Sequence, residues 1–205
     1  MKKSDWENYY IAGNTPWEDK VGDLSKSNPH GHLIKLIDEY KISPCNVLEV
    51  GCGRGATSRE LAKCGFKVKG IDISSKAIEW AKFESRDFDI EFEVVDFLKT
   101  KSLGSNFDFI FDIGCFHYTL NRNFVKKVFD HLHPDGLWYT SVGSSEDKDN
   151  ISMRGRVPDL RPPAHSLEKI VNAVKPFFVI QDVIHHRYSG DRGFYFYSVF
   201  LNKRG

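Results

Sequence analysis

VLEVGCGRG, residues 47–55, is the stretch that decides the fold. Val47, Leu48 and Val50 make a short apolar run suited to a buried strand, and Gly51, Gly53 and Gly55 follow at alternate positions. Glycines let a backbone turn tightly and come close to a ligand, and the amides opening the next helix favour negative charge. Many nucleotide-binding proteins carry such a turn, so the flanks must say which ligand it serves.

Outward from this turn, strand and helix signals alternate. Residues 46–50 read as a strand, and the glycine turn opens a helix through Leu61 and Cys64 that Gly65 terminates. KVKGI (67–71) is a second strand, and Ser74 caps a helix bearing Ala77, Ile78 and Ala81. IEFEVV (90–95) and FDFIFDI (107–113) are a third and fourth strand. Asn121 or Asn123 caps a helix with Phe124, Val125, Val128 and Phe129 on its apolar side. HPDG (133–136) reads as a turn before a fifth strand, LWYTSV (137–142). Ser166 caps a helix carrying Leu167, Ile170, Val171 and Val174, and FFVIQDVI and FYFYSVFL around SGDRG (189–193) read as a hairpin. Upstream, Leu33, Leu36, Ile37 and Tyr40 mark a further helix, stopped by Ser43-Pro44. The expected class is therefore α/β: a doubly wound, mostly parallel sheet with helices on both faces and antiparallel pairing at the C-terminal edge.

In such a sheet, ligands bind beyond the carboxyl ends of the strands. Acids stand near four of those ends: Glu49, Asp72, Asp96 and Asp112. The turn is GxGxG rather than the dinucleotide GxGxxG. Glu49, two residues before Gly51, does nothing for a diphosphate but suits the ammonium of an amino acid. Asp72, roughly 20 residues after Gly51, stands where a carboxylate accepts both ribose hydroxyls. Asp96 suits an adenine amino group, with Phe97 against the ring. Amino acid, ribose and adenine together make S-adenosylmethionine.

LEVGCGRGATSRELA, GIDIS, EVVDF and HPDG, in this order over about residues 46–142, resemble the landmarks of class I S-adenosylmethionine-dependent methyltransferases. GNTPWED (13–19) and FDIGCFHYTL (111–120) resemble, more narrowly, the group holding the thiopurine, halide/thiol and tellurite-resistance methyltransferases. The resemblance implies a Rossmann-like seven-stranded sheet with a reversed last strand, Gly51, Gly53, Asp72 and Asp96 facing the cofactor, and Trp17 covering it. Cys52, Ile73, Phe97 and Asp112 complete the expected cofactor set. The Asn/Asp-Pro-Pro-aromatic motif of amino-methylating nucleic-acid and glutamine enzymes is replaced by Asp112-Ile113-Gly114-Cys115.

The expected activity is methyl transfer to a small-molecule acceptor by direct displacement. Asp112 or His117 would take the proton where the acceptor is a hydroxyl or amine. A nicotinamide-dependent oxidoreductase and a non-catalytic S-adenosylmethionine or S-adenosylhomocysteine-binding protein stand as alternatives. Cys115 reads as a small buried filler, and Arg154, Arg156 and Arg161 as a solvated loop face or an anion site.

The 205 residues carry 29 basic and 28 acidic side chains, so charge offers no case for nucleic acid or an anionic membrane as partner. MKKSDWENYY is no secretory signal, apolar runs are cut by charges, and no metal-ligand spacing joins the four cysteines. A reduced, cytoplasmic chain without a metal is expected, as one domain over 1–205. Within it, 1–30 is an aromatic-rich lid segment, 31–142 the cofactor core, 143–165 a substrate-side loop and 166–205 the C-terminal helix and hairpin.

Overall fold

A computed structural model describes residues 2–13, 15, 29–104, 106–146, 163–187 and 195–204. Trp17, Arg154, Arg156, Arg161, the middle of the 143–165 loop and the 189–193 turn, all singled out from the sequence, lie outside the described residues.

The elements follow in the order α1 (Lys3–Ile11), α2 (Pro29–Glu39), β1 (Asn46–Val50), α3 (Ala56–Lys63), β2 (Lys67–Asp72), α4 (Ser75–Glu84), β3 (Ile90–Val94), β4 (Phe107–Ile113), α5 (Phe116–Thr119), α6 (Arg122–His131), β5 (Leu132–Gly143), α7 (Leu167–Val174), β6 (Phe178–Arg187) and β7 (Tyr195–Lys203). They build one seven-stranded sheet, ordered β3-β2-β1-β4-β5-β7-β6. The first five strands run parallel, and β7 lies antiparallel between β5 and β6. The strand order reverses between β1 and β4. That is the place where an open parallel sheet leaves a crevice for a ligand.

Period-two alternation sorts the strand side chains onto two cores. Leu48, Val50, Ile110 and Trp138 face one side, where Phe124, Val125 and Val128 of α6 and Ile170 and Val174 of α7 cover them. Val47, Phe109, Phe111 and Tyr139 face the other, against Leu33 and Leu36 of α2 and Leu61 of α3. The sequence caps also form: Ser74 Oγ accepts from Ala77 N at 3.1 Å, and Asn121 Oδ1 from Phe124 N at 2.9 Å.

Three local features depart from the sequence expectation. Residues 3–11 form a helix although their side chains give little apolar periodicity; α1 is held by tertiary contacts described below. HPDG is not a turn ahead of the fifth strand but an irregular excursion inside β5. Leu132 pairs with Phe107 and Leu137 with Phe109, so the extra residues leave the ladder and return to it. The third strand stops at Val94, one residue short of the expected end.

Gly55, which caps α3, has φ of 73°, and a Cβ there would stand 2.5 Å from Phe92 Cζ. The left-handed backbone alone costs a non-glycine residue roughly 1–2 kcal/mol, and the ring contact adds to it. Gly55→Ala is expected to lower the denaturant midpoint by an amount equivalent to about 2 kcal/mol or more. A chemical melt of the variant checks this.

Candidate active site

Gly51 has φ of 74°, and its amide and that of Cys52 both donate to the Ile71 carbonyl, at 2.8 and 2.9 Å. These bonds tie the loop after β1 to the end of β2. A Cβ on Gly51 would lie 3.1 Å from Cys115 Cβ and 3.2 Å from Cys115 Sγ, so the loops after β1 and β4 touch at this bare position. Cys52 turns its side chain into the small core of Ile78, Ala81 and Phe92, leaving its backbone in the loop.

Asp72 closes β2 and is 8% exposed. Its Oδ2 accepts from Gly53 N at 3.0 Å and its Oδ1 from Ser74 N at 2.9 Å. Burial raises its pKa to about 6, against the amide bonds from Ser74, Gly53 and Ile73 that lower it. An ionised carboxylate offers about four acceptor positions, so these three amides leave capacity for a ligand's hydroxyl. Asp96 sits half-buried in the turn after β3, accepting from Leu98 N at 3.2 Å and pairing with Lys99 at 3.0 Å.

Three expected site residues are taken up by the fold instead. Asp112 shares its face of β4 with Ile110 and is fully buried. Its Oδ1 accepts from Phe116 N at 2.7 Å and Cys115 N at 3.3 Å, and its Oδ2 from Trp138 Nε1 at 3.1 Å. The carboxylate braces the turn from β4 into α5, and both of its oxygens are already engaged by these donors. Phe97 is 6% exposed and packs edge-on against Phe124, with centroids 5.0 Å apart, so its ring belongs to the core and not over an adenine. Glu49 shares the Val47 face of β1 and accepts from the Ser58 hydroxyl of α3, which makes it first a strut between those elements.

His117, at the start of α5, stands apart from these. It is 3% exposed, and neither Nδ1 nor Nε2 has a hydrogen-bond partner among the described residues. Burial depresses its pKa to about 3, with His165 a smaller cause, so the ring is neutral. A Cβ on Gly114 would lie 3.5 Å from its Cε1 and 3.7 Å from its Nε2, which puts the imidazole against the open end of β4. His165 Nε2 donates to the His117 carbonyl at 2.8 Å and fixes the backbone there.

Two supports were not legible from the sequence. The Glu7 carboxylate of α1 accepts from Ser74 Oγ at 2.6 Å, Ser75 Oγ at 2.7 Å and Lys76 N at 3.2 Å, at the start of α4. From the same helix, Trp6 meets the Tyr118 ring edge-on at 4.9 Å. α1 therefore reaches from the end of β2 to the loop after β4. On the α2 side, Tyr139 donates to the Pro29 carbonyl at 2.7 Å, so its oxygen accepts from Ser198 Oγ at 2.8 Å. Ser198 then accepts from His186 Nε2, also at 2.8 Å, which fixes the tautomer of that ring. This chain holds the first turn of α2, where His30 meets Thr57 of α3 at 2.6 Å.

These buried groups set a pH dependence. Burial lowers His30 to about 4 and His117 and His186 to about 3. Each binds a proton more readily when unfolded, so its contribution to stability falls as pH drops from about 6.5 towards 4. Asp72 and Asp112, raised to about 6, act oppositely: folded chains hold those protons more readily between about 4 and 6. Three histidines outweigh two carboxylates. The apparent melting temperature is therefore expected to fall on acidification from pH 7 to 4.5, as calorimetric melts across that range would register.

Among the described residues, no helix is long and apolar enough to cross a membrane, and no cluster of His, Cys, Asp or Glu could hold a metal. Residues 47–136 match a family described as "Methyltransferase domain". An uncharacterized methyltransferase of Schizosaccharomyces pombe is 44% identical over 108 residues, covering 50% of this chain and 74% of the relative. The 2-heptyl-1-hydroxyquinolin-4(1H)-one methyltransferase of Mycobacteroides abscessus is 30% identical over 174 residues, 74% of this chain and 73% of the relative. Among solved structures, magnesium protoporphyrin IX methyltransferase from Synechocystis with bound SAH superposes with a TM-score of 0.78 over 99% of this chain and 100% of that one. At 18% identity that likeness speaks for the fold alone.

Proposed function

The chain belongs to the methyltransferase family, and on that premise we propose that it is an S-adenosylmethionine-dependent enzyme that methylates a small-molecule acceptor. The observation that carries this reading is the Asp72 carboxylate, held at the end of β2 by the Gly53 amide with acceptor capacity to spare. The residues fit the cofactor: Gly51 and Gly53, with φ of 74° and 54°, fold the β1 turn tightly beneath it, Asp72 would accept ribose hydroxyls, and Asp96 would serve the adenine end. Glu49, though bound to Ser58, lies under the turn where an ammonium would sit. Cys52, Ile73 and Phe97 contribute backbone at most, since their neighbours take up the side chains of Cys52 and Phe97.

When bound, S-adenosylmethionine supplies an electrophilic methyl group whose carbon–sulfur bond breaks, with its electron pair leaving on sulfur, as the acceptor's bond to carbon forms. The chain's own task is alignment and exclusion of water, which can supply roughly 7–11 kcal/mol. α1 bridges the space between Ser74 and Tyr118 through Glu7 and Trp6. Gly114 keeps the end of β4 open beside His117. His117, rather than Asp112, receives the acceptor's proton on its unprotonated ring nitrogen. A weakly basic, neutral imidazole suffices for this where the acceptor is a hydroxyl, because an oxygen that has just gained a methyl group is a strongly acidic oxonium.

GNTPWED and FDIGCFHYTL support a place near the thiopurine, halide/thiol and tellurite-resistance group, without carrying that group's acceptors over to this chain. Trp17 keeps its proposed role as cover. The balanced charge supports a small acceptor over nucleic acid. Incubation with methyl-labelled S-adenosylmethionine and a panel of phenols, thiols, amines, halides and tellurite tests the reading. Label in a small organic product is expected. A protein that binds S-adenosylhomocysteine yet labels nothing on the panel contradicts turnover and leaves a binding protein.

A further inference from the structure

Resting on that reading, we propose that the acceptor is a neutral, planar aromatic compound bearing a hydroxyl, held through that hydroxyl by His117. A buried neutral imidazole presents one N–H and one lone pair, and leaving both unpaired out of water costs about 1–3 kcal/mol for each group. In His117 neither nitrogen has a partner among the described residues, although the residue is 3% exposed and its carbonyl is bonded by His165. A hydroxyl satisfies the lone pair by donating to it. A halide, a thiolate or an oxyanion without a proton satisfies only the N–H and leaves the lone pair bare.

Charge around the ring points the same way. Burial above all pushes the thiol pKa of Cys115, the neighbour of Gly114, up, and the carboxylates of Asp112 and Asp72 add to it. An anionic acceptor arriving at this point meets the same two carboxylates. Of the described cations beside the glycine turn and the start of α4, Arg54 and Arg59 pair with Glu84, and Lys76 with Glu79. Burial keeps His117 itself uncharged, so its ring offers an anion no countercharge.

The planar body follows from the walls. The Tyr118 ring stands 4.4 Å from His117 and 72° to it, and Trp6 closes on Tyr118 at 4.9 Å and 86°. Tyr9 adds a third ring, 6.2 Å from Trp6. Edge-to-face rings of this kind pack well against another aromatic ring. The assembly thus joins an uncharged hydrogen-bonding edge to an aromatic wall that α1 completes.

Calorimetric binding to the full chain, saturated with S-adenosylhomocysteine, tests this without turnover. The probes are 2-naphthol, 7-hydroxycoumarin and 8-hydroxyquinoline, each beside its methyl ether, together with sodium iodide and sodium tellurite. At least one hydroxyl compound is expected to bind tenfold or more tightly than its ether, and that preference is expected to vanish in His117→Phe. The two salts are expected to give no heat of binding. Equal binding of each hydroxyl compound and its ether, or no binding of any of them, overturns the proposal, as does saturable binding of iodide or tellurite. The ether comparison on the unaltered chain stands even if His117→Phe misfolds. Failure to bind S-adenosylhomocysteine in the same cell would instead sink the cofactor reading and so separates the two.

Discussion

Replacing Asp72 with alanine is expected to abolish measurable S-adenosylhomocysteine binding while leaving a folded but weakened chain. The carboxylate accepts from the amides of Gly53 and Ser74 at 3.0 and 2.9 Å in a site that is 8% exposed. Alanine leaves both donors unpaired at a cost of about 1–3 kcal/mol each. It also releases the glycine loop from the start of α4 and removes the proposed acceptor of the ribose hydroxyls. Two charge-assisted bonds of about 1.5–3 kcal/mol each would weaken binding by a factor of about 100 or more. Asp72→Asn separates the effects, since its amide group keeps an acceptor oxygen for one donor but cannot serve both. It should melt closer to the unaltered chain and still bind at least tenfold more weakly. Titration calorimetry with parallel thermal melts measures both quantities. Full-strength binding by Asp72→Ala would remove this residue from the cofactor site.

Asp112 gives the second large effect, of a different kind. Asp112→Ala is expected to destabilise the fold severely, because the amides of Cys115 and Phe116 and the Trp138 indole N–H all lose their acceptor. Each unpaired buried donor costs about 1–3 kcal/mol, and three fall together at one turn. Asp112→Asn should recover part of that stability. A carboxylate acting as base predicts the reverse pattern: an asparagine variant that melts like the parent and does not turn over. Urea unfolding of both variants, set beside their rates, distinguishes a brace from a base.

Much of this architecture can be read from periodicity. The alternation of Val47, Leu48 and Val50, the caps Ser74, Asn121 and Ser166, and the Gly65 stop are local signals, and the elements form where those signals stand. Side-chain direction at the strand ends is less legible. Asp112 and Asp72 look alike in sequence, yet Asp112 faces Trp138 on the neighbouring strand, 26 residues away, and is used up there. Phe97 follows a strand-end acid as an adenine-packing ring would, but Phe124 of α6 draws it into the core. α1 shows almost no amphipathic pattern, because its hold on the molecule is the Glu7 carboxylate at Ser74, Ser75 and Lys76, some 67 to 69 residues downstream. The Tyr139–Ser198–His186 chain likewise joins residues far apart in sequence. No local rule reaches such contacts. The same limit applies to His117: its type drew attention, but only the structure shows both ring nitrogens buried without partners among the described residues.

The central claim is that the β1 turn and Asp72 form a site for S-adenosylmethionine. Thermal melts of the unaltered chain with S-adenosylhomocysteine and, separately, with NAD test it most directly. A ligand at a hundred times its dissociation constant stabilises a fold by about 2.7 kcal/mol. The account predicts a rise in melting temperature with S-adenosylhomocysteine that saturates with concentration, and no shift with NAD. A saturable shift with NAD and none with S-adenosylhomocysteine would contradict it.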